Sequence, residues 1–307
     1  MKLIKLSDKI LKSIKSRGFK QINLEPVLET KYILQRSGEN FKRFLFSFHD
    51  LNGNELCLRP DLTISSVLRY IKNKTKNKEK VFYSGEAFRK TYTKQESIIK
   101  NQIGYEILGS NNKKKDDQDI IYTSLKIIKN SGYKKSKLKL GNVELFNLVI
   151  DKLNIPKRWK GRLKRHYWNV KYFNELLKRL ETNSDIDPIF VETDKTRFQN
   201  MRKDNPNKVI AGRTFKEILD RFEMKIKDPR RSSKGKKNTK IIRDFLNIKC
   251  SLDKAHKVLN SFFRKNKINI VVGKGYFPIN KNKDKNIELE FSASNGREVE
   301  FYSSMVF

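Results

Sequence analysis

The sequence predicts an α+β fold: an antiparallel sheet flanked by helices, with a helical insertion. Two observations carry this. Segments of alternating apolar and polar residues lie towards both ends of the chain, and segments with helical spacing fill the middle. Strands do not alternate with helices along the chain, and no GxGxxG or GxxxxGK[ST] loop supports a nucleotide fold of those kinds.

The elements follow in order. Leu3, Ile10, Leu11 and Ile14 give a first amphipathic helix, with Ser7 expected to cap it and Gly18 to end it. An extended stretch then closes on Glu25-Pro26, where proline biases the preceding residue away from helix. FLFSFHD and ELCLRPD, around Asn52-Gly53, predict a hairpin. Residues 62–71 predict a helix just after Pro60, so Asp61 and Thr63 fall where strand becomes helix. The strongest local signal is a second hairpin, KVFYSGEAFRK and IIKNQIGYEILG around a polar loop. Gln102, Gly104 and Glu106 share one of its faces, because strand side chains alternate. Two polar groups on that face are costly unless they meet water, a pocket or a partner.

Residues 116–132 then read as helix and 138–143 as strand. A helical region runs over about residues 145–265, with the lysine-rich stretch 230–240 expected as a loop inside it. INIVVG, IELEFSAS and EVEFYSSMVF return to strands. The domain expectation is therefore a core of residues 1–144 and 266–307 around a helical insertion of residues 145–265.

Composition narrows the function. The 307 residues can bury a sizeable core, and 37% hydrophobic content with 11% aromatics argues against disorder. Cys57 and Cys250 have no metal-ligand or disulfide spacing, and no Asp/Glu/His cluster calls for a metal. His49, His166 and His256 fall in no pocket motif, and no nucleophile–base pair stands out. No apolar run approaches the roughly 20 residues of a membrane span, and no secretory leader is recognisable, so a cytoplasmic protein is expected. The net charge of +35 is carried mostly by loop-like lysine runs with few aromatics among them. That pattern reads as a solvated cationic surface rather than a specific nucleic-acid groove.

Four segments remain: LRPDLT (58–63), Phe88-Arg89-Lys90, QIGYE (102–106), and Arg297 through Phe301-Tyr302. In this order and spacing they resemble the class II aminoacyl-tRNA synthetases of the histidyl type. Residues 18–30 look like motif 1, which builds a dimer interface, and residues 81–109 look like motif 2. Stretches such as LGNVELFNLVIDKLNIPKRWKGRLKR and IAGRTFKEILDRF are similar to the ATP phosphoribosyltransferase regulatory subunits, synthetase paralogues without aminoacylation. The resemblance implies a class II synthetase-like core with no catalytic residue and no cofactor. It implies a self-dimer, a hetero-oligomer with the short-form catalytic subunit, and L-histidine as effector.

It also implies a histidine site. Asp61, Thr63 and Gln102 would surround the ammonium, and Arg297 would face the carboxylate. Glu106 and Tyr302 would read the ring beside Phe301, and Arg89 would take an anion or the amino-acid carboxylate. The departures point away from aminoacylation. Thr91 stands where a working motif 2 has a glutamate that helps hold ATP, and Gln95-Glu96 stands about where the family has a cation. An anionic Glu96 facing a triphosphate would repel it. The family's glycine-rich turn, motif 3 and anticodon domain do not follow within this sequence. Regulatory subunits also lack the anticodon domain but continue beyond this point, so the sequence reads as truncated at Phe307, with an incomplete last sheet.

Overall fold

In a computed structural model, the chain divides into two units: Met1–Ser136 with Phe277–Ile279 and Asp284–Ile287, and Lys137–Tyr276 with Asn280–Lys283 and Glu288–Phe307. The structure describes residues 2–37, 39–73, 77–91, 96–182, 188–203, 209–210, 213–226, 228, 232–279, 286–296 and 303–307.

In the first unit, helix α1 (Lys2–Lys15) leads into β1 (Lys20–Gln21), β2 (Val27–Glu29) and α2 (Thr30–Ser37). Strands β3 (Ser47–His49) and β4 (Glu55–Leu58) precede α3 (Leu62–Lys72), β5 (Glu79–Phe88), β6 (Ile99–Leu108) and α4 (Lys113–Asn130). The first hairpin forms as the sequence predicts, with Phe48 opposite Leu56. Asp50 holds its turn by accepting from the backbone N–H of Asn52 and Asn54. β2 completes that small sheet on the other side of β4. Ile33, Leu45 and the free thiol Cys57 are buried beneath it.

The second hairpin is the spine of this unit. β5 and β6 pair antiparallel from Glu79 opposite Leu108 to Phe88 opposite Ile99, and β1 adds a short parallel edge to β5. One face carries Phe82, Ile103, Tyr105 and Ile107, which pack with Ile10, Ile14 and Phe19 and with Ile120 and Ile127 of α4. The other face carries Tyr83 and Ala87, packed with Leu62 of α3. Alternation thus gives one hairpin two surfaces of different chemistry.

The second unit holds β7 (Ser136–Asn142), α5 (Val143–Lys152), α6 (Lys157–Arg165), α7 (Val170–Thr182) and α8 (Pro188–Met201). Next come β8 (Val209–Ile210), β9 (Arg213–Thr214), α9 (Phe215–Ile226), α10 (Ser232–Leu246), β10 (Lys249–Ser251) and α11 (Ala255–Lys265). β11 (Ile287–Ser292) and β12 (Met305–Val306) finish the order. β10, β11, β7 and β12 make one sheet in that order. Asn142 ends β7 and caps α5, its side chain accepting from Leu145 N at 2.9 Å. Phe146 stacks on Tyr167 with ring centroids 4.0 Å apart. The Tyr167 hydroxyl donates to the carbonyl of Ala293.

Four local expectations fail for identifiable reasons. α1 starts at Lys2, and Ser7 lies inside the helix rather than capping it. The stretch 230–240 is no loop where described, because α10 runs from Ser232. Its Gly235, Asn238 and Thr239 are buried, and the apolar Ile241, Ile242, Phe245 and Leu246 bury with them. Packing outweighs the lysine-rich composition. INIVVG forms no strand; Ile268 and Val272 are buried singly, with Asn260 holding Val272 at its backbone N–H and carbonyl. The expected helical middle also contains the short strands β8, β9 and β10.

α7 and α10 approach closely. Phe173, Leu176, Leu177 and Leu180 fill the face of α7, and Gly235 of α10 lies against the carbonyl of Leu180. A Cβ at Gly235 would fall inside the 3.0 Å that real Cβ atoms keep, and the obstacle is backbone. Gly235→Ala is therefore expected to lower stability by about 1–3 kcal/mol through overpacking, despite a gain in helix propensity of about 1 kcal/mol. A lower urea midpoint at unchanged slope is the expected outcome, and an unchanged or higher midpoint contradicts the close approach.

Candidate functional site

The site is built where β4 turns into α3 and meets the open face of the β5–β6 hairpin. A helix start leaves backbone N–H groups without helical partners. At α3 two of them are taken by side chains of the predicted site. Asp61 adopts an extended conformation as N-cap and accepts from Ile64 N at 3.0 Å. Gln102, reaching from β6, accepts from Leu62 N through Oε1 at 3.2 Å. The strand–helix junction and the hairpin are joined by a side-chain amide.

Arg59, one residue before Pro60, is a structural anchor. It is 8% exposed, and its guanidinium donates to the carbonyls of Glu86 and Leu24. Its own backbone accepts from Phe88 N and donates to Pro26 O. Burial holds its pKa below the usual arginine value. Arg89 is half-buried, and its Nε donates to Pro60 O at 2.7 Å. That bond fixes the Arg89 side chain beside the residue that precedes Asp61.

Glu106 is half-buried on the hairpin face and accepts from the Tyr83 hydroxyl through Oε1 at 2.8 Å. The same hydroxyl lies 3.1 Å from Thr63 Oγ1. Burial pushes the Glu106 carboxyl above the usual carboxylate range, opposed by the Tyr83 hydrogen bond and reinforced by the Asp61 charge. Burial, then the Glu106 charge, drives the Tyr83 phenol well above its ordinary value, so it stays protonated and able to donate.

The structure therefore brings Asp61, Thr63, Arg89, Gln102 and Glu106 to one junction. Arg297, Phe301 and Tyr302 lie outside the described residues, as does Gln95 of the hairpin loop. Thr91 donates to the carbonyl of Glu96 at 3.3 Å, and the Glu96 side chain is exposed.

Tyr83 is the site residue that sequence reasoning missed. The signal was there: pairing the hairpin in register puts Tyr83 directly opposite Gly104. A Cβ on Gly104 would collide with the Tyr83 ring at Cε2, Cζ and the hydroxyl oxygen. The space over the glycine thus holds a tyrosine of this chain.

Comparison with known proteins follows the same lines. The family model described as "Histidyl-tRNA synthetase" matches residues 2–223. The ATP phosphoribosyltransferase regulatory subunit of Sinorhizobium fredii is 24% identical over 303 residues, covering 92% of this chain and 79% of its own. That of Allorhizobium ampelinum is 24% identical over 327 residues, covering 100% of this chain and 87% of its own. Among solved structures, an ATP phosphoribosyltransferase regulatory subunit/histidyl-tRNA synthetase from Bacillus halodurans C aligns with a TM-score of 0.52 at 16% identity. The alignment covers 98% of this chain and 66% of that one. A histidine–tRNA ligase subunit from Alicyclobacillus acidocaldarius gives 0.51 at 16% identity, covering 99% of this chain and 79% of that one. At such identities the structural likeness speaks for the α+β, class II synthetase-like fold alone. The family match extends over well more than half of the sequence, and the chain belongs to the histidyl-tRNA synthetase family.

Proposed function

We propose that this chain is a non-catalytic regulatory subunit of ATP phosphoribosyltransferase, acting with a short-form catalytic subunit in the first step of histidine biosynthesis. The observation that carries the reading is the run of relatives bearing that name, two of which match 92% and 100% of the chain over most of their own length. The altered motif 2 supports it, since Thr91 and the exposed Glu96 occupy positions where a working synthetase holds ATP. Among the described residues no helix is long and apolar enough to cross a membrane. A cytoplasmic location, a self-dimer through residues 18–30 and a surface charge without specific nucleic-acid binding complete the reading.

The finer part concerns L-histidine. The effector would lie at the junction described above, its ammonium near Asp61, Thr63 and Gln102. Its carboxylate would meet Arg297 or Arg89, and its ring Glu106, Phe301 and Tyr302. Binding alone does not regulate: histidine must bind the inhibited and active assemblies with different affinities.

The alternative is an active histidyl-tRNA synthetase, which the family description favours. One preparation separates the two. The chain is expected to co-purify with the catalytic subunit, to be required for its phosphoribosyltransferase activity, and to make that activity histidine-sensitive. It is expected to support no histidine-dependent ATP–pyrophosphate exchange. Exchange at a synthetase-like rate would sink the regulatory reading.

Glu106→Ala removes a charged acceptor for the ring N–H. A hydrogen bond to a charged group contributes about 1.5–3 kcal/mol, so histidine affinity of the complex should fall roughly ten- to a hundredfold by calorimetry. Unchanged affinity would place the effector elsewhere.

A further inference from the structure

We propose that Tyr83 is a positioning residue of the effector site: its hydroxyl holds Glu106 in the orientation that accepts a ligand N–H. This inference rests on the histidine reading above and adds to it a residue outside the set drawn from sequence.

The argument starts from burial. Tyr83 is 1% exposed and packs with Leu62 and Ala87, where phenylalanine would fill the same space. Its hydroxyl nevertheless meets two partners, Glu106 and Thr63, and both belong to the proposed site. A phenol has one hydrogen. Directed at the Glu106 carboxylate, it leaves the phenol oxygen to accept from Thr63. The chain of donors then runs one way, from Thr63 at the first turn of α3 through Tyr83 to Glu106.

Glu106 needs such a device. It sits on a sheet face beside apolar side chains, where a carboxylate without donors is costly. The groups that face it are Tyr83 on β5 and Thr63 and Asp61 at the head of α3. The opposite face of β6 is closed by the apolar packing with α1 and α4. A carboxylate offers about four lone-pair positions, so the donation from Tyr83 fixes the group in place without exhausting it. The remaining positions suit an N–H-bearing heterocycle such as imidazole. Gly104 is the other half of the device, because any side chain there would displace the ring that carries the hydroxyl.

A role in positioning and a role in packing predict different couplings. L-Histidine binding to the complex with the catalytic subunit is measured by calorimetry for the wild type, Tyr83→Phe, Glu106→Ala and the double variant. Tyr83→Phe keeps the ring and deletes the hydroxyl, and should weaken histidine about tenfold. In the Glu106→Ala background, which leaves the hydroxyl no acceptor at position 106, the same change should cost less than about twofold, because the residue acts through Glu106. Unchanged affinity in Tyr83→Phe, or an equal loss in both backgrounds, overturns the proposal. Thermal melting checks that each variant folds. If Tyr83→Phe does not fold, Thr63→Val is measured with and without Glu106→Ala, since Thr63 also lies near the proposed ammonium. A loss of about three- to fivefold that disappears without Glu106 supports the proposal, and no loss, or an equal loss in both backgrounds, overturns it. No histidine binding by the wild-type complex removes the effector reading and this inference together. Normal wild-type binding with an indifferent Tyr83→Phe removes this inference alone.

Discussion

The backbone N–H groups at the start of α3 are the constraint on which the first unit's site depends. They need acceptors, and the acceptors come from two places far apart in sequence: Asp61 at the cap and Gln102 on β6. The helix start is thereby registered against a strand that begins some forty residues later. Pro60 keeps the turn out of helical conformation until the cap is reached. Arg59 ties the incoming strand to the carbonyls of Glu86 and Leu24, and Arg89 ties the hairpin back to Pro60. Each positively charged side chain is engaged by backbone oxygens, which orders the chain without needing an ion pair.

Electrostatics at the junction is a balance of opposed terms. Asp61 meets the free N–H groups of the α3 N-terminus through its capping bond. Glu106 has no such support from the sheet, and burial disfavours its charge. The Tyr83 hydroxyl counters this as a neutral donor, which does not repel a cationic ligand as a lysine would. The pair of carboxylates with neutral donors around them suits a ligand that brings its own N–H groups.

The sequence made legible what depends on local chemistry and strict periodicity. Both hairpins, the helix after Pro60 and the shared face of Gln102, Gly104 and Glu106 follow from turn residues and alternation, and the structure has them. What was not legible depends on partners elsewhere in the chain. α10 is helical over a lysine-rich stretch because its buried side packs on α7. INIVVG has strand composition but is held through Asn260 instead of a ladder. Ser7 has the right chemistry for a cap, yet the amphipathic pattern of α1 begins before it. Tyr83 was hidden because a tyrosine in an apolar strand looks like core, and only the cross-strand register reveals that its hydroxyl reaches Glu106. Thr91 and Arg89 were assigned roles by resemblance, while the structure records their anchoring bonds to Glu96 and Pro60.

The two-faced hairpin has an evolutionary consequence. Phe82, Ile103, Tyr105 and Ile107 secure the fold from one side, while Tyr83, Gln102 and Glu106 hold the polar chemistry on the other. Adjacent positions in sequence therefore answer to separate selective pressures. Substitutions at alternate residues can erase or retune a chemistry while the apolar layer, and with it the folded chain, is left untouched. A scaffold partitioned in this way can change its polar chemistry through point changes on a single side of a single ribbon.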